Sequence, residues 1–206
     1  MSLETRLDAL SHPGWLMGYL REGMPMIKNW LPYAKDGATA DDVANLVAAQ
    51  VTAPLTWDNI ARYRDLWPRN LVIKGIMHVD DAVKAAELGV DGIVVSNHGA
   101  RQLDRSPASI EVLPGIVAAV GDRMTVMLDS GVQRGSDIVT ALCLGAEFVF
   151  TGRATLYGVT AGGKSGAVKA VSILNNEIDL VMAQMGAAEI SALGDEFIYK
   201  PLPRNY

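Results

Sequence analysis

The sequence predicts an α/β fold, with four βα units that read as half of a (β/α)₈ barrel of the TIM type. Two observations carry this. From Asn70 onward, short apolar, β-branched runs alternate with stretches of helical spacing, as strands buried on both faces of a parallel sheet would. The stretch KGIMHVDDAVKAAELGVDGIVVSN, from Lys74, also aligns without gaps on SGVQRGSDIVTALCLGAEFVFTGR, from Ser130, at an offset of 56 residues. Gly75/Gly131, Asp81/Asp137, Val83/Val139, Ala85/Ala141, Leu88/Leu144 and Gly89/Gly145 are identities. A β-α-β-α unit therefore occurs twice. The same periodicity also suits an open doubly wound sheet.

The elements follow in order. MSLETRLDAL is helix-like, and SHPGWLMGYLREG is a helix opened by Ser-His-Pro. Met24–Asp36, rich in Met, Pro and aromatic residues, reads as a loop. Ala40–Gln50 is a helix, and TWDNIARYRDLW is another, with Thr56 as N-cap and Asn59 at the box position. Strands are expected at Leu71–Ile76, Gly92–Ser96, Met124–Asp129 and Glu147–Thr151. Helices are expected at Asp80–Leu88, at Ser109–Val120 with a kink at Pro114, at Ser136–Leu144, and from about Gly166 to Met185. Asp81 and Asp137 fall near helix starts, where a carboxylate caps free N–H groups, and Gly89 and Gly145 fall where each helix turns back to a strand. No strand pattern precedes residue 70, so the chain alone cannot close an eight-stranded barrel.

With 206 residues, half of them hydrophobic and a fifth charged, the chain has the composition of a soluble globular domain. A net charge of −5 gives no electrostatic footprint for nucleic acid. The single cysteine, Cys143, excludes a disulfide framework and fits a reducing, cytoplasmic compartment; it lies in an apolar helical pattern and reads as core packing. No apolar run reaches the ~18 residues of a membrane helix, and the N-terminus lacks the pattern of a signal peptide.

Chemistry gathers at the strand ends. Lys74 stands inside an apolar strand, a position that is costly unless its ammonium meets an anion or reaches solvent. The second strand ends in Ser96-Asn97-His98-Gly99, with Arg101 following. A strand-end histidine can act as a general base, and an arginine fork suits a carboxylate. A structural histidine beside a surface arginine fits the same string. The third strand ends in Asp129-Ser130-Gly131 and the fourth in Gly152-Arg153 leading into a helix. Gly turns before a helix N-terminus form the usual phosphate site of such barrels, although plain βα turns also contain Gly.

LVIKGI, GVDGIVVSNHGARQLD, LDSGVQRG and GRATLYG, in this order and spacing, resemble the C-terminal half of the FMN-dependent α-hydroxy-acid oxidising enzymes. That family includes L-lactate dehydrogenase, glycolate oxidase and mandelate dehydrogenase. The similarity covers residues 55–190 as the half-barrel. Residues 1–54 resemble, more loosely, the variable loop and helical segment before it, and 191–206 reads as a C-terminal tail. The resemblance implies FMN as cofactor and a small L-2-hydroxy acid, lactate or mandelate-like, as substrate. It also implies an electron acceptor that is a quinone, a cytochrome or oxygen. His98 would be the base, Arg101 the carboxylate clamp, and Lys74 a stabiliser of the reduced flavin. Ser96 would be a further flavin-side contact, and Asp129, Ser130, Gly131, Gly152 and Arg153 would hold the ribityl chain and phosphate. No metal is implied.

The sequence departs from the family in two ways. Gln133 stands where the family usually has Arg, and Arg134 does not automatically substitute, because adjacent residues point in different directions. The family's first four strands have no counterpart, nor do a substrate-contacting tyrosine and the aspartate that orients the histidine. A half-barrel exposes sheet edges, which predicts a homo-oligomer. It also leaves open a catalytically inactive half-barrel that self-associates and binds FMN weakly or not at all. A phosphate-binding barrel acting on a nucleotide is a third reading. The segment MPMIKNWLPY, which some relatives use to dock on membranes, allows peripheral contact at the inner membrane face as well as plain packing.

Overall fold

A computed structural model describes residues 3–24, 26–51 and 55–199 of the chain. The chain divides into two compact units, Met1–Thr56 and Trp57–Tyr206.

The first unit contains helices α1 (Leu3–Ser11), α2 (Pro13–Glu22) and α3 (Ala40–Val51), with a 3₁₀ helix at Lys28–Tyr33. Pro13 opens α2 at a position where its missing N–H costs nothing. Before α3, Thr39 and Asp42 cap each other: the Thr39 Oγ accepts from the Asp42 amide at 3.2 Å, and the Asp42 carboxylate accepts from the Thr39 amide at 2.9 Å. The predicted loop at Met24–Asp36 is more ordered than expected. Pro32 denies it an α-helical ladder, and it settles into short i→i+3 turns, with Trp30 and Tyr33 edge to face at 6.0 Å.

In the second unit α4 (Trp57–Leu66) is followed by β1 (Val72–Ile76), α5 (Val79–Glu87), β2 (Gly92–Val95), α6 (Ser109–Val120), β3 (Thr125–Leu128), α7 (Gly135–Cys143), β4 (Phe148–Val149) and α8 (Arg153–Met185). The strands form one parallel sheet in the order β1-β2-β3-β4. β2 is buried along its whole length, which is why it reads as an unbroken apolar run. Ile93, Val95, Val126 and Leu128 pack against Leu113, Ile116 and Val120 of α6 and Ala82 and Ala85 of α5. Arg64 of α4 donates to Asp91 at 2.6 Å, and Asp91 also accepts from the Leu71 amide at 2.7 Å, which pins α4 to the start of the sheet.

The repeat is reproduced at both helix ends. Gly89 (φ +72°) and Gly145 (φ +95°) are both left-handed, the conformation that ends a helix and that glycine adopts without strain. The helix starts differ. Asp137 accepts from the amides of Gln133 and Arg134, both at 2.9 Å, whereas α5 is capped by His78, whose Nδ1 accepts from the Asp80 amide. The fourth strand, predicted over Glu147–Thr151, pairs regularly only at Phe148–Val149. It has one neighbour, β3, and single bonds from the Glu147 and Phe150 amides mark its limits. The last helix is two pieces, broken at Gly162 and Gly163. The pieces fold back so closely that a Cβ on Gly166 would clash with the Gly158 carbonyl oxygen. Beyond α8, Leu193, Phe197 and Ile198 pack on a second cluster with Val139, Cys143 and Met182. Cys143 is thus core, and burial, with the nearby Glu196 charge, pushes its thiol above its ordinary pKa.

Candidate active site

In a parallel sheet every strand delivers its C-terminal end to the same rim. The loops there enclose a cleft of about 360 Å³. Lys74 comes from β1, His98 and Arg101 from the loop after β2, Asp129 to Gln133 from the loop after β3, and Gly152 and Arg153 from the loop after β4.

Lys74 has the anion that its strand position demands. Its Nζ lies 2.7 Å from Asp129 Oδ2 and donates to the Ser96 Oγ at 2.7 Å. Burial would push the Asp129 carboxyl up. Hydrogen bonds from Lys74, Ser96 and Ser130, together with the Lys74 charge, outweigh it and hold the group below its ordinary value. Ser96 is only 2% exposed and lies beneath the cleft rather than on its wall. The Ser130 Oγ donates to Asp129 Oδ1 at 2.8 Å.

The loop bearing His98 is wound in an uncommon conformation: His98, Gly99 and Ala100 have φ of +58°, +68° and +61°. Its amides explain how it persists. The His98 amide donates to the Ser96 Oγ at 3.2 Å and the Gly99 amide to the Ser130 Oγ at 2.9 Å. Asn97 closes the base of the loop, accepting from the Ala100 amide and donating to the Pro107 carbonyl, both at 3.1 Å. The His98 and Arg101 side chains line the cleft, and among the described residues neither makes a hydrogen bond.

Across the cleft the Arg153 guanidinium passes against Gly99, where a Cβ would lie 2.8 Å from an Nη atom. Gly131 (φ +78°) and Gly152 have open space where a side chain would stand. Behind Gly152 begins α8, whose first turn leaves amides without a partner inside the helix and whose Arg153 and Leu156 line the cleft. Two glycines without side chains, a helix N-terminus and a guanidinium make a cradle suited to a phosphate.

The cofactor and substrate candidates read from the sequence thus line this rim, with Ser96 one layer below. Missed were Ser130's left-handed backbone (φ +78°) and the role of Glu177. Glu177 accepts from Arg134 Nε at 2.8 Å and from the Gly135 amide at 2.7 Å. These bonds hold the Glu177 carboxyl below its ordinary pKa and raise that of Arg134. Arg134 is therefore committed to α8, and Gln133 lines the cleft in its place. A link between residues so far apart in sequence leaves no local signal.

The family profile described as FMN-dependent dehydrogenase matches residues 1–200. The chain belongs to this family. It is 40% identical to the (S)-mandelate dehydrogenase of Pseudomonas putida over 96% of its own length and 49% of that protein's. It is 43% identical to an L-lactate oxidase of Nostoc over 74% of its own length and 42% of the oxidase. Among solved structures, that of the monotopic membrane protein (S)-mandelate dehydrogenase superposes with a TM-score of 0.92 at 39% identity. It covers 98% of this chain and 53% of the other. The four βα units are those of a TIM-type barrel, and the chain spans about half the length of the curated relatives it matches. FMN is the cofactor of the FMN-dependent dehydrogenase family, and the cleft, with an open glycine cradle beside Arg153 and with Lys74 in its lining, carries cationic donors of the kind that a phosphate and a reducible ring suit.

Proposed function

We propose that this chain carries the cofactor- and substrate-facing rim of an FMN-dependent L-2-hydroxy-acid dehydrogenase that oxidises lactate or a mandelate-like acid to the 2-oxo acid. The observation that supports this most directly is the convergence of Lys74, His98, Arg101 and Arg153 on one cleft, with Asp129 holding Lys74.

Arg153, Gly131, Gly152 and the first amides of α8 would hold the phosphate, and Asp129 and Ser130 would hold the ribityl chain. Lys74, paired with Asp129 and bonded to Ser96, would offset the negative charge that the flavin ring gains on reduction. When bound, FMN accepts the two electrons that leave the substrate. Arg101 clamps the substrate carboxylate by its planar fork. His98 takes one proton, either from the α-hydroxyl, with hydride leaving the α-carbon, or from the α-carbon itself. The electron acceptor would be a quinone, a cytochrome or oxygen.

A second reading draws on the absence, among the described residues, of a carboxylate bonded to the His98 ring, and on the chain's span of half its relatives. In it, the chain binds FMN weakly and does not turn over alone. The test is to purify the chain, add FMN, and follow the flavin spectrum on addition of L-lactate and of L-mandelate. Uptake of FMN followed by bleaching is expected. Uptake without bleaching selects the second reading, and a protein that takes up no FMN overturns both.

The reading includes peripheral contact with the cytoplasmic membrane face. No helix among the described residues is long and apolar enough to cross a membrane, whereas Trp15, Met17, Leu20, Ile27 and Leu31 of the first unit are exposed. Pelleting with anionic lipid vesicles is expected to fall in a Trp30→Ser variant; equal pelleting removes the membrane contact.

A further inference from the structure

Two serines tie successive amides of the His98 loop to the two members of one ion pair. The His98 amide is held by Ser96, which accepts from Lys74; the Gly99 amide is held by Ser130, which donates to Asp129. They differ in their backbones. Ser130 has φ +78° and is followed by Gly131 at the same angle, a conformation that a residue with a Cβ rarely adopts. Glycine would be the unstrained choice there. Its hydroxyl is what glycine would lack: it bridges Gly99 and Asp129 at 2.9 and 2.8 Å and reaches the Ser96 Oγ at 3.5 Å.

We infer that Ser130 is a positioning residue, held in a strained backbone so that its hydroxyl can fix the Gly99 amide and, through it, the aim of His98 and Arg101 into the cleft. The inference rests on the function proposed above. Strain kept at a functional site, where an easier residue would fit, is the mark of a group retained for geometry rather than stability. Arg101, two residues beyond Gly99, depends on the same stretch for its position.

The test compares Ser130→Gly and Ser130→Ala in the FMN-loaded chain. Ser130→Gly loses the tether but also the strain, so its Tm is expected within about 3 °C of the parent. Ser130→Ala loses the tether and keeps the strain, and melts lower than the glycine variant. In both, the Gly99 amide is expected to exchange at least about tenfold faster by hydrogen-exchange NMR. Their kcat/KM for L-mandelate or L-lactate falls about ten- to a hundredfold, with KM raised because the carboxylate clamp is displaced. The inference is overturned if Ser130→Gly leaves Gly99 exchange or kcat/KM at the parent value, or if its Tm drops as far as that of Ser130→Ala, since that would mark a purely structural role. A parent chain that binds FMN without turnover overturns the proposed activity instead, and the exchange and melting comparison then decides the tether alone.

Discussion

Lys74 shows how one residue's cost is met by its neighbours. An ammonium in the middle of an apolar strand is tolerated because Asp129 and Ser96 both lie at 2.7 Å. Because Asp129 titrates below its ordinary value, it contributes stability that is present above the usual carboxylate pKa and is lost as pH falls through the lowered one. Lys74→Met removes the cation, and Asp129 then titrates higher. The variant is expected to be less stable than the parent by about 1–3 kcal/mol at pH 7. The gap should shrink between pH 7 and a pH below the carboxylate range, as Asp129 takes up its proton on passing through its lowered pKa. Urea unfolding at the two pH values measures this; an equal gap at both would show that the pair contributes nothing. At this scale the sequence conveyed which polar residues gather at one cleft, because polar types at the ends of apolar runs stand out. It could not convey that Ser96 is buried below Lys74, nor that Arg134 is drawn away by Glu177, since both depend on partners distant in the chain.

Among single elements, packing takes the place of charge. Helices and strands of the second unit lie where periodicity predicts them, because a period of two or of 3.6 states which face is buried. Their ends and irregularities are less predictable: β4 pairs with β3 over only two residues, and α8 is two pieces because Gly162 and Gly163 leave helical geometry. The same substitution should therefore act with opposite sign in two helices. In α2, a Cβ added to Gly18 would meet nothing within 4 Å, and Gly18→Ala is expected to stabilise by up to about 1 kcal/mol. In α8, Gly166 faces the Gly158 carbonyl, and Gly166→Ala is expected to cost about 2–4 kcal/mol. Denaturant midpoints of the two variants decide it; a neutral Gly166→Ala would mean that the two pieces of α8 separate freely.

For the molecule as a whole the decisive fact is an open sheet. Among the described residues β1 and β4 each pair on one side only, and Phe148 of β4 and Phe150 just after it are 55% and 42% exposed. Unpaired edges and exposed aromatics favour association. The sedimentation mass is expected to rise with concentration, and a Phe148→Ser, Phe150→Ser double variant to shift toward the monomer; a parent that stays monomeric at all concentrations would refute this. The parallel order has a further consequence, in time rather than space. The contacts that build the cleft join Lys74 to Asp129 and Gly99 to Ser130, segments that come together only after the intervening βα units have docked. Long loops must close before any of these contacts can form, so the cleft is completed late in folding. A ligand that fits the finished cleft binds only folded chains and draws the folding equilibrium toward them by mass action.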